Sequence, residues 1–489
     1  MVPNSAGWRQ YVTSAFDSVD HGLLALAYGV QARSIWPGRV SLWVTRIRCR
    51  NHHASTPDSE HSQLFGDGNV RQSIIQARSW WLPLHALNES AYHRSRVSLL
   101  LVVRSYPPVL GGSETEAQRV AAALIRRGHR VTVTCGGGSP MPKTHNWIDP
   151  YGVPVRIFGI HWPERWRDHA FAFGVCWHLF RHRKQYQVVY FLMQGLHLAA
   201  ALPVARLLNK PVIMKFSGSG LISNLQLSWL GRLELHWLRK WASRVMILNP
   251  GMAQEALRAG FIPAQLLWMP NPVDVGQFAP LPVGERLALR ANLGLPPGVQ
   301  IIVYAGRLAP EKELPVLLRS FARITTELPQ TLMVFVGDGP ERDSLCELAR
   351  GLGLNAKVRF LGRVPADVVA QWLQAADVFT LVSSNEGFPC ALVEAMSVAL
   401  PSVVSNIPGN TQLIEHEVHG LVTPLGDETA IAAALARLLK DESLRLRLGN
   451  AARTSVLASY STHAVISRYE ALLNAVVDAY RRLPLVQNP

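Results

Sequence analysis

From Val97 onward, short apolar runs alternate with stretches of helical periodicity, and this alternation restricts the chain to few folds. The runs are Ser98–Val103, Val131–Thr134, Val188–Leu192, Val212–Phe216, Val245–Leu248, Ile301–Ala305, Leu332–Val336, Val358–Leu361, Val378–Val382 and Ser402–Ser405. Most are continuous apolar runs of four to six residues rather than alternating ones, as a parallel strand covered on both faces requires. The reading is an α/β chain with two doubly wound sheets. A Pro- and Gly-rich stretch at 280–298 separates the two sets and suits a connection between domains. In open sheets of this kind ligands bind outside the strand carboxyl ends, so two facing sheets would share one cleft.

Composition narrows the function classes. Hydrophobic residues make up 48% and charged residues 17%, enough for large cores and contrary to global disorder. The net charge of +15 suggests an anionic partner, whether nucleic acid, an acidic membrane surface or a phosphorylated substrate, or serves solubility alone. No nucleic-acid-binding module is recognisable, so no nucleic-acid partner is expected. The five cysteines are scattered, with no CxxC pair, which opposes a disulfide framework or a structural zinc site. No apolar run reaches the roughly 18–20 residues of a membrane span, and the first residues lack signal-peptide order. A cytoplasmic protein is expected, peripheral at the inner face of the cell membrane if it meets lipid at all. Residues 1–95 show no sustained period. They are expected to be a poorly ordered extension or the result of a start codon set too early, with a binding arm as the alternative.

Four segments could carry chemistry. Gly111-Gly112-Ser113-Glu114-Thr115-Glu116 follows the first strand, and Ser113 with Glu116 has capping-box spacing, so a helix is expected to start there. Glycines beside a helix N-terminus suit a phosphate, although a plain tight turn has the same sequence. Gly306-Arg307 and Lys312 place two cations at a strand end and a helix start, where they could neutralise a diphosphate; a solvated charge pair is the plainer reading. Glu386-Gly387-Phe388-Pro389-Cys390-Ala391-Leu392-Val393-Glu394 follows a strand, and its two carboxylates are acceptors suited to sugar and ribose hydroxyls, or are surface acids favoured by a helix start. Pro270-Asn271-Pro272-Val273-Asp274 reads as a structural turn, with a cleft-lining role as the alternative. No P-loop, HExxH or DxD motif is present.

In this order the segments resemble the retaining glycosyltransferases of family 4, or group 1, with the GT-B fold, over about four-fifths of the chain and most strongly over Ile301–Pro424. The resemblance implies two Rossmann-like domains facing across a cleft, at 96–285 and 286–461, and a C-terminal helix in 462–489 crossing back to the first. It implies a nucleotide-sugar donor, with UDP or GDP most expected, and no cofactor or metal. Arg307 and Lys312 would bind the diphosphate, Glu386 the sugar and Glu394 the ribose. Arg307, Lys312 and Glu386 would act in the transfer itself. Backbone near Gly306, Gly387, Phe388 and Cys390 would assist, Gly111 and Gly112 would approach from the other domain, and 358–362 would lie near the base. Departures from the family pattern are Pro272, Glu313, Leu400 and Gln412, and Ser217-Gly218-Ser219-Gly220 where a histidine is usual. The acceptor would be a glycan or lipid-linked intermediate, with Asn224–Arg244, basic and Trp-bearing, at an anionic membrane surface or simply in the core. A non-catalytic glycan-binding or scaffold protein on the same fold is one rival, and a related GT-B sugar epimerase or phosphorylase is the other.

Overall fold

A computed structural model describes residues 96–482 except Leu110, Ser139, Pro140, Lys143 and Ile160; the expectation for residues 1–95 falls outside the described residues. The first lobe begins with β1 (Ser98–Val103), α1 (Gly112–Arg126), β2 (Arg130–Gly136), β3 (Asn146–Ile148), β4 (Pro154–Phe158), α2 (Glu164–Arg181), β5 (Val188–Leu192) and α3 (Leu196–Leu207). It continues through β6 (Val212–Lys215), α4 (Leu221–Gln226), α5 (Trp229–Trp241), β7 (Ala242–Ile247), α6 (Pro250–Arg258) and β8 (Leu266–Trp268). The second lobe comprises α7 (Val283–Asn292), β9 (Gln300–Ala305), α8 (Leu314–Ile324), β10 (Thr331–Val336), α9 (Arg342–Gly351), β11 (Val358–Phe360), α10 (Ala366–Ala375) and β12 (Val378–Leu381). After these come α11 (Cys390–Ser397), β13 (Ser402–Ser405), α12 (Pro408–Thr411), β14 (Gly420–Thr423), α13 (Glu428–Lys440), α14 (Glu442–Ser459) and the final α15 (Thr462–Arg482).

Each lobe holds one sheet. The first has strand order β3-β4-β2-β1-β5-β6-β7-β8, parallel except for the edge pair β3–β4. The second is wholly parallel in the order β11-β10-β9-β12-β13-β14. In both, the order reverses beside the first strand, and such a reversal opens a crevice at the strand carboxyl ends. The central strands are fully buried, as their uninterrupted apolar runs require. In α8, Leu314, Leu317, Leu318 and Phe321 recur at helical spacing and all face the sheet. Asn249, Asp427 and Asp441 cap α6, α13 and α14, each accepting from an amide of the first turn.

The helix α15 packs on the first lobe although it follows the second in sequence. Its Val465, Ile466, Tyr469, Leu472, Leu473, Val476 and Val477 are buried with residues of β1, β2 and α1. At roughly 1.5–3 kcal/mol per fully buried large apolar side chain, this contact ties the chain end firmly to the first sheet.

The expected capping box at α1 is absent. Gly111 is the N-cap and no side chain caps the helix. Glu116 turns inward instead, because a buried lysine competes for its carboxylate.

Candidate active site

A crevice of about 370 Å³ lies where the carboxyl ends of both sheets meet. The first lobe contributes Gly111, Gly112, Thr115, Glu116 and Arg119 from the start of α1, with Asn271 and Pro272 after β8. The second contributes Gly306 after β9, Gly337 after β10, Arg363 and Val364 after β11, and Cys390, Ala391 and Glu394 on α11. The loops after β9 and β10 pass each other bare: at φ +139°, Gly337 has no room for a Cβ against the carbonyl oxygen of Gly306.

Glu394 sits in this crevice, and its Oε1 lies 3.4 Å from Nη2 of Arg119 in the opposite lobe. Burial raises the Glu394 pKa, and the Arg119 charge opposes that rise. Beside it, Asn271 Nδ2 donates to Cys390 Sγ at 3.4 Å, and burial pushes the Cys390 thiol up to about 11, so it is an un-ionised wall of the site.

Lys312 and Glu386 meet each other rather than lining that crevice. Lys312 Nζ donates to Glu386 Oε1 at 2.7 Å, and Ser383 Oγ donates to the same oxygen at 2.8 Å. Glu386 belongs to the loop before α11, so the two glutamates of the segment do not share one helix. Lys312 ends a 3-10 turn, Pro310–Lys312, that is tied to the Glu386 loop by Ser384 N donating to Glu311 O at 2.9 Å. Glu313, standing where the resembled family has glycine, takes a left-handed φ of +53° at the start of α8. A side chain there costs on the order of 1 kcal/mol. Arg307 stands apart: its side chain is 67% exposed and pairs with Glu311 at 2.6 Å.

The lobes touch beside Glu386. Gly387 lies against the backbone of Ser217 and Gly218, and Asn249 Nδ2 donates to the Gly387 carbonyl at 2.8 Å. Ser219 Oγ donates to the Glu386 carbonyl at 3.2 Å. The Phe388 ring is buried and packs on Tyr460 at 5.8 Å, so it belongs to the core. The structure therefore gathers Gly111, Gly112, Gly306, Cys390 and Glu394 in one crevice. It pairs Lys312 with Glu386, puts Gly387 at the lobe contact and leaves Arg307 on the surface.

Sequence reasoning missed the first lobe's polar set. Lys215, at the end of β6, has its side chain wholly buried; its Nζ donates to Glu116 Oε1 and, at 2.7 Å, to Asn271 Oδ1. Tyr469 of α15 donates to the same Glu116 oxygen at 3.1 Å. Burial lowers the Lys215 pKa, and Glu116 opposes that change. The available signal was a lysine inside an otherwise apolar strand run. Arg119 and Arg363 gave none, being ordinary surface-type arginines in sequence. The same lobe buries Glu234, whose pKa burial raises to about 7 while the Gly195 amide, 3.3 Å away, opposes the rise.

A larger cavity, about 590 Å³, lies at the strand amino ends beside Val299, Gln300 and Asp377. Its arginines 286 and 290 are already paired with Asp377, and it is on the wrong side of the sheet for a switch-point ligand.

Two family descriptions match this chain: "Glycosyl transferase 4-like domain" over residues 111–272 and "Glycosyl transferases group 1" over residues 285–455. An uncharacterised glycosyltransferase of Methanocaldococcus jannaschii is 25% identical over 75% of this chain and 95% of its own. The UDP-Gal:alpha-D-GlcNAc-diphosphoundecaprenol alpha-1,3-galactosyltransferase of Escherichia coli is 28% identical over 50% of this chain and 64% of its own. Several other curated relatives are matched over only about half their length. Among solved structures, Anabaena HepE with UDP and glucose superposes with a TM-score of 0.66 at 20% identity, over 78% of this chain and all of that one. With both halves matched in order on two facing Rossmann-like sheets, the chain belongs to the group 1 glycosyltransferases of GT-B fold.

Proposed function

We propose that this chain is a retaining, metal-independent glycosyltransferase that moves a sugar from a UDP- or GDP-sugar to a lipid-linked or other glycan acceptor at an anionic membrane surface. The observation that carries the reading is the crevice at the carboxyl ends of both sheets, where Arg119 pairs with Glu394 among Gly111, Gly112 and Gly306, with Lys312 paired to Glu386 on the loops after β9 and β12. The E. coli relative's lipid-diphosphate acceptor and the UDP of the solved Anabaena structure support the choice of substrates.

In this reading the donor's diphosphate takes Lys312 from Glu386, freeing that carboxylate for the sugar hydroxyls. The Glu394 carboxylate, released from Arg119, accepts from the ribose. Arg307 swings from Glu311 toward the diphosphate, and Arg363 is a further cation on the crevice wall. Fixed positive charge at the departing nucleotide supplies the stabilisation that a metal gives elsewhere. The acceptor hydroxyl attacks the face that the nucleotide leaves, the leaving phosphate takes its proton, and the anomeric configuration is kept.

A thermal-shift screen against UDP-, GDP-, ADP- and CMP-sugars tests donor binding, since a ligand of the native state raises its stability. A UDP- or GDP-sugar is expected to stand out and EDTA to leave turnover unchanged. NMR of the product decides stereochemistry: an inverted anomeric centre refutes retention. Donor binding without any turnover would instead support the non-catalytic scaffold.

A further inference from the structure

Helix α2 is apolar on two opposite faces. Phe171, Val175 and Leu179 point into the core, as a helix packed on a sheet requires. On the other side, Trp166, Phe173, Trp177 and Phe180 recur at spacings of seven, four and three residues, which places them within one narrow stripe. With Trp162 just before the helix, these side chains are between 47% and 72% exposed. Single exposed apolar residues are ordinary, but a continuous aromatic stripe directed at solvent is not.

Positive charge frames the stripe. Residues 161–184 hold Arg165, Arg167, Arg181, Arg183 and Lys184 against only Glu164 and Asp168, and Asp168 is engaged by Arg104 at 2.9 Å. The Arg183 guanidinium lies over the Phe180 ring at 5.2 Å, at the margin of the apolar surface. Aromatic rings flanked by arginine and lysine match the boundary between headgroups and acyl chains of an anionic bilayer. The helix also begins on the carboxyl-end side of the first sheet: Arg104, just beyond the carboxyl end of β1, reaches Asp168 in the first turns of α2.

The Trp-bearing stretch Asn224–Arg244 makes a poorer surface. It runs from the end of α4 through α5 into β7; Leu235 and Leu238 are buried, Trp237 and Trp241 stack at 5.5 Å against the core, and Trp229 alone of its three tryptophans is exposed.

We infer that the outer face of α2 is the membrane-docking surface, seating its aromatic stripe in an anionic lipid bilayer and holding the acceptor side of the cleft at the lipid surface. The inference rests on the proposed lipid-linked acceptor for its purpose, but not for its physics. The test is sedimentation of the full chain with phosphatidylcholine vesicles, with and without phosphatidylglycerol. The native protein is expected to bind the anionic vesicles about tenfold or more tightly than the neutral ones. Phe173→Ser with Trp177→Ser should weaken binding to the anionic vesicles by at least about tenfold, and Arg181→Gln with Arg183→Gln and Lys184→Gln should erase the preference for them. Both variants should keep the native melting temperature and donor-induced shift, because every altered side chain is exposed. Failure of the native chain to bind either vesicle, or undiminished binding by the Phe173/Trp177 variant, overturns the inference. So does a lipid-free dimer that this variant dissociates, which would make the stripe a contact between copies. Donor binding without vesicle binding sinks docking alone, and vesicle binding without donor binding sinks the transferase reading alone.

Discussion

The two lobes share a strand order that reverses beside the first strand but place their charges differently. The first seals ionisable groups inside: Glu116, Lys215 and Glu234 are buried, as are His178 and His197. Among the described residues of the second sheet and its helices, the buried polar side chains are Ser, Thr and Asn only. That lobe keeps the charged pair Lys312 and Glu386 on the loops after β9 and β12, at the strand carboxyl ends. A neutral interior asks nothing of protonation, so in the second lobe the pH-sensitive group stands at the crevice, where burial raises the Glu394 pKa. The first lobe carries desolvated charges that stabilise only while every partner is in place. The fold needs neither arrangement, so the difference lies in what each lobe presents to the crevice.

The contrast breaks most visibly at Lys215. Lys215→Met leaves the Glu116 carboxylate buried without its cation, and a loss of about 3–5 kcal/mol is expected in urea unfolding. Lys215→Met with Glu116→Gln should recover much of it, which would identify the loss as uncompensated charge. In the second lobe, Lys312→Ala should cost less, about 1–2 kcal/mol, because the Glu386 carboxylate it leaves keeps the Ser383 hydroxyl. It should cut kcat by about 100-fold or more and shrink the donor-induced thermal shift, because its charge is spent on the transition state.

A third prediction uses pH. The Glu234 pKa is about 7 in the fold, above its ordinary value of 4.5. The folded state therefore holds that proton more tightly than the unfolded one. The stability this gives is present in full below pH 4.5 and lost as pH rises through 7. Glu234→Gln keeps the group neutral, so its stability relative to the native chain should climb between pH 5 and 8, by at most about 3 kcal/mol. A flat difference would show Glu234 ionised throughout. The smallest effect belongs to the neutral interior: Ser397 Oγ donates to the Phe278 carbonyl at 2.6 Å, and Ser397→Ala should cost only about 1 kcal/mol, independent of pH.

Sequence patterning located the central strands because burial on both faces leaves a continuous apolar signature; Ser98–Val103, Val188–Leu192 and Ser402–Ser405 coincide with β1, β5 and β13 end to end. The edge strand β3 and its neighbour β4 escaped: β3 is three residues long and opens on Asn146, and Arg156 interrupts β4. β14 escaped as well: it is four residues long and opens on Gly420. The second lobe's candidates were legible because they lie close in sequence around strand ends. Arg119 reaches Glu394 across 275 residues, and no local spacing encodes such a meeting. The Lys215 network is likewise assembled from β6, α1, the loop after β8 and α15. The stripe on α2 was hidden because aromatic residues on both faces of a helix read, in sequence, as one more core element.

Gly218 and Gly387 come from opposite lobes, and a methyl group added to residue 387 would lie 2.9 Å from the Gly218 Cα. The thinnest possible pair of residues thus acts as a spacing gauge between the halves of the molecule. A side chain at 387 works as a wedge, setting a wider gap in advance of any ligand, whereas one at 218 would meet only Leu221 at ordinary contact distance. The tightness with which this protein can grip what lies between its jaws is set by the side chain missing at 387.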